Sequence, residues 1–210
     1  MDTQQAPTRR GRKYDQVLEG ARRVFLKDGF DSANVDEIAR EAGVSKATLY
    51  SYFPDKRLLF FEIARCECTR QAEAAQNVVM PDLPPRALLM GAARKMVGNL
   101  SSPMMISMFR VAAAEAGRFP ELARDFYAKG PQMAHRLLSG YLRGAAERGE
   151  LRIENPDMAA AQFAELCKAG LMPKLLFGII DKVPDAEAEL VAREAVETFM
   201  ARYGPKEDTE

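Results

Sequence analysis

A chain of 210 residues, 47% of them hydrophobic, is long enough for one large or two modest domains and apolar enough to bury a core, which excludes global disorder. Lysine and arginine balance aspartate and glutamate at 30 each, so no overall charge field announces a nucleic-acid partner. No run reaches the ~18 uninterrupted apolar residues of a membrane span, so no membrane partner is expected.

The start of the chain lacks an apolar signal segment, and three cysteines cannot all pair with one another. Cys66 and Cys68 lie two apart on a predicted helix, on nearly opposite faces, and make poor joint metal ligands. The expectation is reduced thiols in the cytoplasm, with no metal and no other cofactor. Charge is instead concentrated locally. Residues 8–13 read TRRGRK, four cations without an anion. Alone, this run fits a frayed, solvated end as well as an arm that reaches phosphates; under the second reading Arg10, Arg12 and Lys13 are the candidate contacts.

The hydrophobic pattern is helical throughout. Tyr14 to Asp28 carries Val17, Leu18, Ala21, Val24 and Phe25 on one stripe, and Gly29 supplies a left-handed stop. Asn34 followed by Glu37 has the form of a capping box before a short helix, Val35 to Ala42, with Val35, Ile38, Ala39 and Ala42 inward. Gly43 turns the chain, Ser45 caps a third helix from Lys46 to about Phe53, and Pro54 stops it. Asp55 caps a long fourth helix running through Leu58, Leu59, Phe61 and Ile63 towards Val78. After Pro81, Pro84 and Pro85, helices are predicted at Arg86–Leu100, Pro103–Ala116, Glu121–Ala128, Gln132–Arg148, Asp157–Leu171 and Ala186–Tyr203. Lys174 to Ile180 is a short apolar run able to extend the helix before it, and the tail after Gly204 is expected to be disordered. The predicted fold class is all-α: residues 1–56 form a three-helix helix-turn-helix domain with a basic arm, and residues 57–210 a larger helical domain.

A seven-residue helix, a glycine turn and a second short helix make a helix-turn-helix. Leu49 and Phe53, four apart, direct one face of the third helix to the core. Ser45, Lys46, Ala47, Thr48, Tyr50 and Tyr52 are left for the other faces. Short side chains let a helix enter a major groove about 12 Å wide; Lys46 can donate to guanine edges, Ala47 can touch a thymine methyl, and Thr48 and the tyrosines can bond bases or phosphates. Lys56 is placed for a further phosphate. A small three-helix module with a merely polar exposed face fits the same residues.

The block from Gly29-Phe30 through Val35-Asp36-Glu37-Ile38-Ala39-Arg40-Glu41-Ala42-Gly43-Val44-Ser45-Lys46-Ala47-Thr48-Leu49-Tyr50 to Phe53-Pro54-Asp55-Lys56 closely resembles the tetracycline-repressor (TetR) family of bacterial regulators. The resemblance covers roughly residues 14–64. It implies that the helix Lys46–Phe53 reads the major groove, that Lys46, Ala47, Tyr50 and Tyr52 contact DNA, and that Asn34 and Lys56 hold phosphates. Tyr52 stands where histidine is frequent in the family and Asn34 where threonine is frequent, which bears on base preference. A fainter likeness to the C-terminal domains of AefR-type members runs through Ala114-Glu115-Ala116-Gly117-Arg118-Phe119-Pro120-Glu121-Leu122, Phe126, Gly130-Pro131 and Gly149-Glu150-Leu151.

The family implies a homodimer built on the last two long helices, for which Phe163, Leu166, Leu190, Glu194, Phe199 and Met200 are the expected interface residues; intrachain core is the other reading of each. The methionine-rich middle is ordinary core by composition and an effector pocket by resemblance. Met96, Met104, Met108, Phe109, Phe126, Tyr127, Met133, Phe163 and Cys167 are the candidate lining. His135, the only histidine, is read as structural. No catalytic residues are expected, because the chain has no P-loop, GxSxG, HExxH or GxGxxG followed by a strand. The expected function is a ligand-responsive transcriptional repressor that binds a palindromic double-stranded DNA operator as a homodimer and is released by a small apolar or amphipathic effector. An effector-independent regulator or activator, and a helical-cavity enzyme or lipid carrier, are the other readings.

Overall fold

The computed structural model describes residues 11–76, 83–100 and 102–205. All regular structure among them is helical: α1 Arg12–Ser32, α2 Val35–Glu41, α3 Lys46–Tyr52, α4 Lys56–Gln76, α5 Pro85–Leu100, α6 Pro103–Glu115, α7 Pro120–Lys129, α8 Pro131–Glu147, α9 Pro156–Leu166, α10 Met172–Leu176 and α11 Asp185–Tyr203. Arg9 and Arg10, the end expected of α4 at Val78, and the last five residues lie outside the described residues.

The chain divides into two compact units between Glu67 and Cys68, inside α4. The boundary expected after residue 56 falls at the start of that helix. The first three turns of α4 belong to the N-terminal unit because Leu59, Phe60, Phe61, Ile63 and Ala64 are buried there. Phe60 meets Phe25 edge-on at 5.0 Å and Phe30 at 4.8 Å. The expected stripes close the rest of this core: Val17, Ala21, Val24 and Phe25 from α1, Ile38, Ala39 and Ala42 from the second helix and its end, and Leu49 and Phe53 from the third. Gly20 was no part of those stripes, yet it sets the approach of α1 to the end of α2. A β-carbon there would lie 2.6 Å from the Ala42 amide nitrogen, inside any permitted contact.

In the C-terminal unit α5 packs on α11 and α8 on α9, around Leu89, Ala93, Val97, Leu142, Ala160, Phe163, Val196 and Phe199. Proline is the first residue of α5, α6, α7, α8 and α9. Its missing N–H is one that a first helical turn leaves unbonded anyway, so the helices expected to begin at Arg86, Glu121, Gln132 and Asp157 start one residue earlier, on the proline, as expected for Pro103. The helix expected to run to Leu171 stops at Leu166. A turn follows, with Gly170 at φ 71°, and α10 is a separate element. Arg110 of α6 holds the end of α10: its guanidinium donates to the carbonyls of Leu175 at 2.6 Å and Leu176 at 3.0 Å, in the last turn where helix carbonyls look for donors beyond the helix.

Candidate nucleic-acid interface and effector cavity

The short helices of the N-terminal unit are fixed by their caps. The Asn34 side chain accepts from the Asp36 amide at 2.9 Å. Glu37 does not complete the expected capping box; its carboxylate turns to Lys27 at 3.3 Å and Arg40 at 3.5 Å. Gly43 takes φ 65° in the turn, and the Val44 amide donates to the Ala39 carbonyl at 3.0 Å. Ser45 caps α3 as its sequence implies, accepting from the Thr48 amide at 3.1 Å, with the two hydroxyls 2.8 Å apart. Arg57 and Asp55 pair at 2.6 Å at the start of α4, where Asp55 also accepts from the Arg57 amide.

These constraints sort the candidate residues. Leu49, 1% exposed, and Phe53 face inward. Ser45, Lys46, Ala47, Tyr50 and Ser51 are exposed, and Thr48 and Tyr52 are half-buried. Asn34 is exposed beside its cap bond. The Tyr52 ring stands edge-on to Tyr14 at 5.7 Å, so the tyrosine in place of a frequent histidine has an aromatic support. Tyr14 in turn donates to Glu62 at 2.6 Å. Arg12 and Lys13 lie exposed on the first turn of α1. Arg10 lies outside the described residues.

Two cations have partners that sequence spacing did not reveal. Lys46 is 2.5 Å from Asp36, whose carboxylate holds the ammonium charged and pushes its pKa up. Lys56 donates to the carbonyls of Phe30 at 2.8 Å, Ala33 at 3.1 Å and Asp31 at 3.3 Å, and lies over the Phe30 ring. An ammonium has three donors. All three of Lys56 are engaged where α1 ends, so its position serves the fold first.

The C-terminal unit contains an apolar cavity of about 310 Å³. One wall is a single face of α5, where Leu88, Ala92, Met96 and Asn99 recur at helical spacing, with Lys95 beside them. Met105 and Phe109 of α6 and Met133, Leu137 and Leu138 of α8 supply most of the remainder. Of the nine expected lining residues, Met96, Phe109 and Met133 are present. The other six are elsewhere. Met104 and Met108 are buried on the face of α6 adjacent to that of Met105 and Phe109; Phe126 packs against Phe109 at 5.5 Å; Tyr127 is 59% exposed; Phe163 and Cys167 are sealed in the helix core. Burial pushes the Cys167 thiol up to about 12. The polar groups that reach the cavity are mostly satisfied by the protein. The Tyr141 hydroxyl donates to the Leu83 carbonyl at 2.6 Å, with desolvation raising its pKa, and His135 Nε2 is 2.9 Å from the Asp157 carbonyl.

The expected dimer residues divide as well. Phe163 and Phe199 stack edge-on at 5.4 Å and are fully buried within one chain, so they present no surface. Leu190 and Glu194 are exposed, and Leu166 and Met200 half-buried.

Comparison with known proteins agrees with both units. Residues 17–63 match the model of bacterial regulatory proteins of the tetR family, and residues 87–205 match the AefR-like transcriptional repressor C-terminal domain. An HTH-type transcriptional repressor of Mycobacterium tuberculosis is 26% identical over 163 residues, 78% of this chain and 82% of that protein. A TetR-family transcriptional regulator of Mesorhizobium loti superposes with a TM-score of 0.82 at 27% identity, over 94% of this chain and all of the other. The flavonoid-responsive regulator FrrA does so with a TM-score of 0.66 at 34% identity over the same shares. This chain belongs to the TetR family of bacterial transcriptional regulators, carrying an AefR-like repressor C-terminal domain, and it is a regulator rather than an enzyme.

Proposed function

We propose that the protein represses transcription by binding a palindromic operator as a homodimer in the cytoplasm, and that a small apolar or amphipathic effector in the C-terminal cavity releases it. The observation that carries this reading is the pairing of an exposed, capped α3 in one unit with an apolar cavity of about 310 Å³ in the other. That volume lies at the lower end of the roughly 300–1,000 Å³ typical of small-molecule sites. FrrA, similar over nearly the whole chain, is named for its response to flavonoids, which supports a planar or elongated apolar effector here.

The bases would be read by Lys46, Ala47 and Tyr50, with Ser45, Thr48, Tyr52, Asn34, Arg12 and Lys13 towards phosphates. Leu166, Leu190, Glu194 and Met200 are the remaining interface candidates. A two-fold protein implies half-sites about one helical turn, ~34–36 Å, apart or a multiple of it. The effector acts only if it binds the non-operator conformation more tightly, since equal affinity for both shifts nothing. Selection of duplexes from a random library by the purified protein tests the reading. Enriched sites should be two-fold symmetric; enriched sites without symmetry, or no enrichment, would contradict it.

A further inference from the structure

The apolar cavity carries a one-sided ring of cations. Lys95, Lys129 and Lys168 border it, and no lining residue is a carboxylate. Two of the three ammonium groups are neutralised from outside the cavity. Lys129 pairs with Asp125 at 2.6 Å and Lys168 with Glu165 at 2.5 Å, and neither acid lines the space. Tyr141 and His135 are bonded to main-chain carbonyls. Lys95 differs from the other two lysines: it pairs with no acid among the described residues, and it sits on the α5 face that forms the wall, between Ala92 and Asn99. A lysine in that position lays its methylene stem along apolar surface and keeps its ammonium at the solvent edge.

We infer that the cavity takes an amphipathic molecule with an apolar body and an anionic headgroup, and that Lys95 is the residue that selects the charge. This rests on the reading of the cavity as the effector site. An apolar cavity without a cation at its mouth prefers an alcohol to a carboxylate of equal chain length, because the carboxylate must give up water for nothing. A cation at the rim reverses that order. Lysine supplies a mobile point charge rather than the planar fork of arginine, so headgroup geometry is loosely specified while its sign is not.

The test is calorimetric titration of the full-length protein with octanoate and with octan-1-ol, repeated with Lys95→Met and Lys95→Arg. Octanoate should bind more tightly than the alcohol, by at most about fivefold, the ceiling set by an ion pair at an exposed site. The preference should weaken in high salt, invert in favour of the alcohol in Lys95→Met and survive in Lys95→Arg. Alcohol binding as tight as octanoate in the parent protein, binding of neither, or a preference unchanged in Lys95→Met would overturn the inference. Operator binding is read in parallel. If octanoate binds with this dependence and the operator is not released, the charge selection stands and the effector reading falls. If alcohol and octanoate bind alike and both release the operator, the reverse holds.

Discussion

The Lys46 ammonium lies 2.5 Å from the Asp36 carboxylate, tying the first residue of α3 to the first turn of α2. The pair places an anion on the face that would meet a nucleic acid. Both side chains are well exposed, so the contact adds little to folding. Its consequence is for binding: Lys46 must exchange Asp36 for a base edge or a phosphate. Asp36→Asn should therefore leave the melting temperature within a degree or two, as surface changes do, and should strengthen binding to duplexes of any sequence. Fluorescence anisotropy at two salt concentrations checks this, since the freed cation should also steepen the salt dependence.

Lys56 gives the opposite pattern. Its three hydrogen bonds to Phe30, Asp31 and Ala33 carbonyls close the end of α1. Lys56→Met leaves those acceptors without a donor and should cost about 1–3 kcal/mol in chemical denaturation. A variant that folds as stably as the parent but binds the operator more weakly would return Lys56 to a phosphate-holding role.

Gly20 is needed for space rather than for its backbone freedom. In Gly20→Ala the new methyl would meet the amide nitrogen and α-carbon of Ala42 at 2.6 and 2.7 Å, so α1 must move off the end of α2. Overpacking of this kind costs about 1–3 kcal/mol. Because the nearest atoms are backbone, adding Ala42→Gly should restore little of the loss. Thermal unfolding of the single and double variants measures both effects.

The two cysteines whose side chains are described should behave differently towards thiol reagents. Cys66 is exposed and Cys167 is buried with its thiol pushed up to about 12. Below pH 9, Cys167 should stay unlabelled in the native protein and react only on unfolding. The folded value lies above the ordinary 9.0, so the unfolded state loses its proton first. The contribution to stability is complete below about pH 9 and is lost as pH rises from there towards 12. Cys167→Ala should flatten the alkaline limb of stability against pH.

Much of the DNA-reading unit was legible because its signals are local. Asn34 and Ser45 cap, Gly29 and Gly43 take positive φ, and Leu49 and Phe53 recur at one helical turn, all within a few residues of sequence. What sequence could not give there depends on chain separation. Lys46 meets Asp36 across the turn, Lys56 reaches back to Phe30, and Gly20 is small for the sake of Ala42. The cavity was harder for the same reason. Methionine content marks soft, apolar helices but not which face of each helix looks inward. Met105 therefore lines the space while Met104 and Met108 fill core. The Leu88, Ala92, Met96, Asn99 spacing on α5 was the available signal, and only Met96 of that row was picked out by composition.

In the proposed function α3 reads DNA through its exposed face. The most direct test is the affinity of Tyr50→Ala for a selected operator duplex, measured beside its melting temperature. Tyr50 is 46% exposed and no part of the core. The variant should melt with the parent and bind about tenfold more weakly, in the range for loss of one groove contact. Parental affinity in a protein that melts with the parent would contradict the assignment of α3 as the reading helix.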